Sequence, residues 1–246
     1  MIVSGGTPYL AIVPARIGSK RIFHKNIREL ASRPLVSWTI EHVRQCATPM
    51  RVVVSTDDAG IRELCLKAGA EVPLLRPAEL ARDDTPMESV LHHVLETLPR
   101  VEEIEKIVLL PPTSPVRDDG SLDAAVELYE TSGADSLVSV SEISPLIWSG
   151  TEADPVALYD LYSRPRQQEV PEGMRRFIEN GSIVITSITS LRASRLRIGG
   201  QCVMFIMRAH EALDLDDEYD LWLAEQWLEH QEGSNRRDPR KPEGVA

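Results

Sequence analysis

Positive charge is scarce in this 246-residue chain: 27 lysines and arginines stand against 38 aspartates and glutamates, a net charge of −11. A surface of that sign neutralises neither a phosphate chain nor an anionic headgroup, which excludes non-specific nucleic-acid binding and electrostatic attachment to a membrane. Cysteine is scarcer still. Cys46, Cys65 and Cys202 are scattered and odd in number. They show neither metal-ligand spacing nor a disulfide framework, so reduced thiols in a cytoplasmic protein are expected. Long apolar runs are missing as well: none reaches the roughly 18 residues that span a bilayer. The opening MIVSGGTPYL lacks the charged n-region and the apolar h-region of a signal peptide. Core-forming residues are plentiful. At 42% apolar, the chain can fill one large domain and is not of disordered composition.

Short apolar runs alternate with helix-length amphipathic segments. YLAIVP, RVVVST, KIVLLPP and DSLVSVSE read as strands, joined later by GSIVITSI and QCVMFIM. Between them, RPLVSWTIEHVRQC, IRELCLKAGA, TPMESVLHHVLETL and SLDAAVELYETSG read as helices, and DEYDLWLAEQWLEH as a last one. Asp57 or Asp58 suits the cap of the second helix, Thr85 that of the third, and Gly133 closes the fourth. EVPLLRP reads as a short strand or extended piece. The last helix is expected to turn Leu221, Leu223 and Trp227 to the core, with Trp38 and Trp222 also buried; one of His92 and His93 is expected to pack and the other to meet solvent. Strand alternating with helix means an α/β fold with a mostly parallel sheet. Residues 141–176, with four prolines, read as an excursion from a single domain of residues 1–232, and residues 233–246 as a frayed polar tail. There is no internal repeat.

Ligands of open α/β sheets bind beyond the carboxyl ends of the strands. The loop after the first strand, PARIGSKRIFHKN, holds Arg16, Lys20, Arg21, His24 and Lys25 around Gly18. Convergent backbone N–H groups, positive side chains and a glycine that lets the backbone approach are the needs of a phosphate site. The spacing is neither G-x-x-x-x-G-K-[ST] nor G-x-G-x-x-G. A solvated basic turn would explain any single lysine; five basic residues in ten positions after a buried strand favour a site. At the other end of the chain, LDLD places Asp214 and Asp216 at i and i+2, on one side of an extended segment. Such a pair suits a divalent cation between carboxylates and phosphates. It equally suits negative charge at the N-terminus of the last helix. No Ser-His-Asp or Cys-His arrangement suggests a covalent intermediate.

PARIGSKRIFHKN resembles the signature P-A-R-x-G-S-K-R-[IL]-x-x-K-N of the CMP-sugar-acid synthetases, the acylneuraminate cytidylyltransferase family. The resemblance continues in family order through VVVSTDD, GAEVPLLRPAELARDDTP, LLPPTSPVR, RPRQQEVPEGMRRFIENGSIVI and ALDLDDEYDLWLAEQ. It implies a three-layer Rossmann-like nucleotidyltransferase fold with a small dimerisation excursion near 141–176, and a homodimer. It implies CTP as one substrate and a 2-keto-3-deoxy sugar acid as the other, with a CMP-sugar and pyrophosphate as products. By the same resemblance Arg16, Ser19 and Lys25 hold the triphosphate, in a loop shared with Ala15, Gly18, Lys20 and Arg21, while Asn26 and Arg76 lie near the nucleotide. Asp214 and Asp216 hold Mg2+. Thr113, Ser114, Arg166 and Gln167 fall on the sugar side. Arg117 fits either a clamp for the acid or a plain surface arginine.

Two positions depart from the family pattern. Pro111 stands where a glutamine is usual and Val184 where a tyrosine is usual, so two polar side chains of the expected sugar site are absent. Discrimination through hydrogen bonds is strong, and their loss points away from N-acetylneuraminic acid to another nonulosonate or 3-deoxy-2-keto acid. Two other readings fit the same residues: a sugar nucleotidyltransferase of the same fold with a different substrate pair, and a CTP-binding protein without catalysis.

Overall fold

A computed structural model describes residues 8–166 and 169–236, with side chains to 231. The chain opens with β1 (Tyr9–Pro14), and the basic loop follows. A two-residue ladder of β2 (Glu29–Leu30) and β3 (Arg33–Pro34) leads into α1 (Leu35–Gln45). Next come β4 (Met50–Ser55), α2 (Ala59–Lys67), α3 (Met87–Thr97), β5 (Lys106–Leu109), α4 (Ser121–Ser132) and β6 (Ser136–Ile143). The hairpin β7 (Trp148–Gly150) and β8 (Pro155–Ala157) sits in the excursion. The chain then returns through β9 (Arg176–Ser187), α5 (Ile188–Ser194), β10 (Cys202–Met207) and α6 (Glu218–Arg236).

Six strands form one sheet in the order β10-β6-β9-β5-β1-β4. All run parallel except β9, which is antiparallel to both β5 and β6. The exception has a plain cause: β9 is reached through the excursion and not through a crossover helix, and only a crossover returns a strand in the same direction. Strand alternation sends Tyr9, Ala11 and Val13 to one face and Leu10 and Ile12 to the other. The first face is covered by α1, α2 and α4, the second by α3 and α5, giving three layers. Ile107, Val108 and Leu110 are fully buried, as an apolar run without alternation requires.

The register of β6 and β9 slips between Val138 and Val140. Asn180 fills the slip: its amide donates to Ser141 Oγ at 2.9 Å, and its oxygen accepts from the Ser139 hydroxyl and from the Ser182 N–H. Gly181, at φ +67°, turns the chain there. Beyond this bulge the outer halves of β6 and β9 run out as an arm.

Several local expectations are corrected. EVPLLRP makes a single bridge, Glu71 to Val53, and no strand. Thr85 does not cap α3; Pro86 stands at that position and the Thr85 hydroxyl donates to the Glu79 carbonyl. Asp58 caps α2, accepting from the Ile61 N–H at 2.8 Å, and Gly133 closes α4 at φ +65° as its sequence suggests. The buried face of α6 is Leu221, Ala224 and Leu228, so Leu223 and Trp222 are exposed and Trp227 is half-buried. His92 and His93 are both partly buried.

Candidate active site

A third hydrophobic cluster lies at the carboxyl ends of the central strands. It joins Ile22 of the basic loop, Leu35, Val116, Leu215 and the inner face of α6. Ile22 and Leu215 are both fully buried. Burial of Leu215 turns its neighbours Asp214 and Asp216 outward, and both are exposed. The cluster thus pins the basic loop and the acidic pair against one another. Backbone bonds add to this: the Leu215 N–H donates to the Thr113 carbonyl at 2.8 Å, and the Lys25 ammonium donates to the Leu215 carbonyl. The loop itself is held by the Ala15 N–H on the Ser55 carbonyl, the Ile17 N–H on Asp57 Oδ1 at 3.0 Å, and the Asn26 amide on the Arg16 carbonyl at 2.7 Å.

Between these parts opens a cavity of about 540 Å³, lined by Arg16, Ser19, Lys20, Arg21, Lys25, Asn26, Met87, Pro111, Thr113 and Asp216 among others. The basic loop and the acidic segment, almost two hundred positions apart in sequence, meet there. Asn26 is buried and its side-chain oxygen has no protein partner. Gly18 is exposed, and a Cβ added to it would meet nothing, so the protein itself leaves room beside it. Arg21 pairs with Asp216 at 2.7 Å, and Asp83 pairs with Arg16 at 2.6 Å and with Lys20.

Burial lowers the pKa of Lys25, opposed by the attraction of Asp214 and Asp216. Asp214 reaches solvent, yet protein crowds it enough that desolvation raises its pKa, with repulsion from Asp216 adding to the effect and a hydrogen bond from Thr113 opposing it. Helix capping does not occupy this pair. Asp217 Oδ1 accepts from the Tyr219 and Asp220 N–H groups, and Asp220 accepts from the N–H groups of Asp216 and Asp217. Two mutually repelling carboxylates beside the Thr113 hydroxyl are hard oxygen ligands of the kind that fit Mg2+, with Arg21 and Lys25 as the cations that face them in this structure.

Other expected residues are placed elsewhere. Arg76 is buried, with Nε on Ser55 Oγ at 3.0 Å and Nη2 on the Ser55 carbonyl at 2.5 Å; burial lowers its pKa to about 10. It lines a smaller cavity, about 200 Å³, beside Arg16. Arg117 is neither a surface arginine nor part of the cavity wall. It is 5% exposed, and its guanidinium donates to Ser182 Oγ, Thr39 Oγ1 and the carbonyls of Pro111 and Ser182. Val184 is likewise a core residue, packed between Leu109 and Val138 on the α3 face. Ser114 is buried, its hydroxyl without a protein partner. Arg166 stands exposed on the arm with Glu169 at 3.9 Å, and Gln167 lies outside the described residues.

Two contributors carried no signal of their own in the sequence. Asp57, read there as a helix cap, anchors the basic loop, and Asp83 sits on its cations. A second acidic group, Asp118, His210 and Glu211, has its side-chain atoms within 4.8 Å of one another. Its oxygens are already taken: Glu211 by the N–H groups of Asp118 and Arg208 and by the Ser121 hydroxyl, Asp118 by His210 and Arg208. It ties the start of α4 to the segment before α6.

Cations gathered over the strand ends of a mostly parallel sheet, with carboxylates facing them, are the equipment of a nucleotidyltransferase, and this chain is one. More narrowly, residues 10–154 match the cytidylyltransferase family, and the chain belongs to that family. It is 31% identical to the CMP-N,N'-diacetyllegionaminic acid synthase of Legionella pneumophila, over 89% of this chain and 96% of that one. It is 32% identical to the N-acylneuraminate cytidylyltransferase of Escherichia coli over 89% of this chain, which spans about half, 51%, of that longer protein. The fold is that of a CMP:2-keto-3-deoxy-manno-octonic acid synthetase solved in complex with CTP, with a TM-score of 0.64 at 15% identity over 91% of this chain and 99% of that one. It is also that of the 4-diphosphocytidyl-2C-methyl-D-erythritol synthase of Anaerococcus prevotii, with a TM-score of 0.63 at 10% identity and the same coverage. Among the described residues, no helix is long and apolar enough to cross a membrane.

Proposed function

We propose that the cavity binds CTP and a 2-keto-3-deoxy sugar acid and joins them into a CMP-sugar. The observation that carries this reading is the meeting of Arg16, Lys20, Arg21, Lys25 and Asp216 around one cavity, with Asp214 near enough to act on the Lys25 charge, in a member of the cytidylyltransferase family. The anomeric hydroxyl oxygen bonds to the α-phosphorus of CTP. The bond from that phosphorus to the bridging oxygen of the β-phosphate breaks, pyrophosphate leaves with that oxygen, and the hydroxyl gives up its proton to water. Such a transfer needs positioning and charge neutralisation more than covalent help. Arg16, Ser19 and Lys25 hold the leaving phosphates, with Lys20 and Arg21 alongside; Ala15 and Gly18 shape the loop. Asn26 and Arg76 face the nucleoside. Asp214 and Asp216 would hold Mg2+, which when bound supplies neutralising charge and acidifies the hydroxyl.

The acceptor is a nonulosonate other than N-acetylneuraminic acid. Pro111 supports this: its ring has no hydrogen-bonding group and its carbonyl is committed to Arg117. The similarity to a legionaminic acid synthase over nearly the whole of that protein is consistent with it. Thr113 lies on the same wall. The arm at 141–176 belongs to one domain of residues 1–232 and forms the contact of a cytoplasmic homodimer, and Arg166 on it binds the sugar acid; Trp148, Leu158, Leu161 and Tyr162, all more than half exposed, support that contact. Arg16→Ala and Lys25→Ala test the assignment. Each is expected to abolish pyrophosphate release while the protein stays folded by circular dichroism, and wild-type turnover in either would overturn it.

A further inference from the structure

Asp83 lies just before α3, on the segment that faces the basic loop. One carboxylate oxygen is 2.6 Å from Arg16 Nη2 and the other contacts Lys20 Nζ. Arg16 Nη1 also donates to the Ala81 carbonyl at 3.1 Å, so the strap from Ala81 to Asp83 holds Arg16 at two points. Structural need does not account for the carboxylate: α3 starts at Met87 with Pro86 at its N-cap, and the adjacent Asp84 pairs with Arg82. Lys20 and Arg16 together keep the Asp83 carboxyl below the usual range, in that order of effect. Arg16 and Asp83 also both line three cavities, of about 540, 450 and 200 Å³. An incoming polyphosphate needs the donors that Asp83 occupies, and would face its negative charge if it stayed.

We propose that Asp83 is a displaceable counter-ion of the phosphate site. It occupies Arg16 and Lys20 in the free enzyme, yields them to the nucleotide's phosphates, and takes them back as pyrophosphate leaves. This rests on the reading of the cavity as a triphosphate site. The free energy of the Asp83 pairs is subtracted from the binding of any ligand that uses those cations. Both pairs are solvent-accessible, with side-chain exposures of 31% for Arg16, 81% for Lys20 and 45% for Asp83, so the handicap is modest, roughly three- to tenfold in affinity.

The test is titration calorimetry of CTP and of inorganic pyrophosphate, with chelator and with Mg2+, on wild type, Asp83→Asn and Asp84→Asn. Asp84→Asn removes the same charge from the same segment without touching Arg16 or Lys20. The expected result is tighter binding of both ligands by Asp83→Asn, roughly three- to tenfold, with Asp84→Asn unchanged. Product inhibition by pyrophosphate strengthens by the same factor. Equal affinities in Asp83→Asn and wild type overturn the proposal. So does binding by Asp83→Asn that weakens only with Mg2+, which makes Asp83 a metal ligand. Failure of wild type to bind either ligand overturns the triphosphate reading itself, and the counter-ion with it.

Discussion

Leu215 is the residue on which the site's assembly turns, and replacing it by alanine separates assembly from fold. The side chain is fully buried in the cluster shared by Ile22, Leu35, Val116 and α6, and it stands between the two outward aspartates. Leu215→Ala removes three carbons, about 2.4 kcal/mol at about 0.8 kcal/mol per buried methylene. A residual cavity adds to that, and this small peripheral cluster can partly close around it, so about 3 kcal/mol of stability is lost. Urea unfolding followed by circular dichroism reads that loss as a lower midpoint at unchanged slope. The backbone bonds of Leu215 to Thr113 and Lys25 remain possible, but the segment bearing Asp214 and Asp216 loses its anchor. A displacement of about 1 Å at reacting groups costs about 100-fold, so turnover of the folded variant should fall by about that factor. Loss of stability with turnover intact would refute the argument that this cluster positions the acidic pair for catalysis.

Arg117→Ala leaves two carbonyls and two hydroxyls without their buried donor, and about 3 kcal/mol or more should be lost, lowering Tm by about 10 °C; a normal Tm with a raised KM for the sugar acid would mean that Arg117 binds substrate instead. Asn180→Ala empties the bulge of β6 and β9 and should cost about 2 kcal/mol by scanning calorimetry, whereas an unchanged Tm would show that the bulge does not depend on the amide. His42 has its pKa lowered to about 3, chiefly by burial, with repulsion from Arg117 adding to it. A histidine depressed in the folded state contributes stability that is full above the unfolded pKa of roughly 6.5 and is lost as pH falls toward the folded value. By pH 4.5 that loss is on the order of 2 kcal/mol, and His42→Gln should flatten the urea midpoint between pH 6.5 and 4.5; an identical slope in the variant would contradict it.

The strands and helices that sequence reveals are those whose periodicity is complete within the element. β1 is apolar throughout and β5 is apolar after its first residue, Lys106, while α3 carries Leu91, Val94 and Leu95 on one face. α5 escapes because ITSLRAS continues a β-branched strand without a break in composition, and only Ser187, capping through the Ser190 N–H, marks its start. The outer half of β9 escapes because it pairs only with the run-out of β6, and its residues RFIE show no buried face. At the site, the basic loop is legible since its charges are adjacent in sequence. Asp57 and Asp83 are not, because each acts on a loop far away along the chain. Arg117 shows the same limit from the other side. A charged residue is expected outside, and only the convergence of Thr39, Pro111 and Ser182 makes its burial tolerable.

The most direct test is pyrophosphate release by the wild-type protein with Mg2+, CTP and a panel of sugar acids: N-acetylneuraminic, legionaminic, pseudaminic, 3-deoxy-manno-octulosonic and deaminated neuraminic acid. The prediction is release with CTP, abolished by chelator, and fastest with an acid other than N-acetylneuraminic acid. No release with any of these acids by a protein that binds CTP would contradict the assignment of a CMP-sugar-forming reaction to this site.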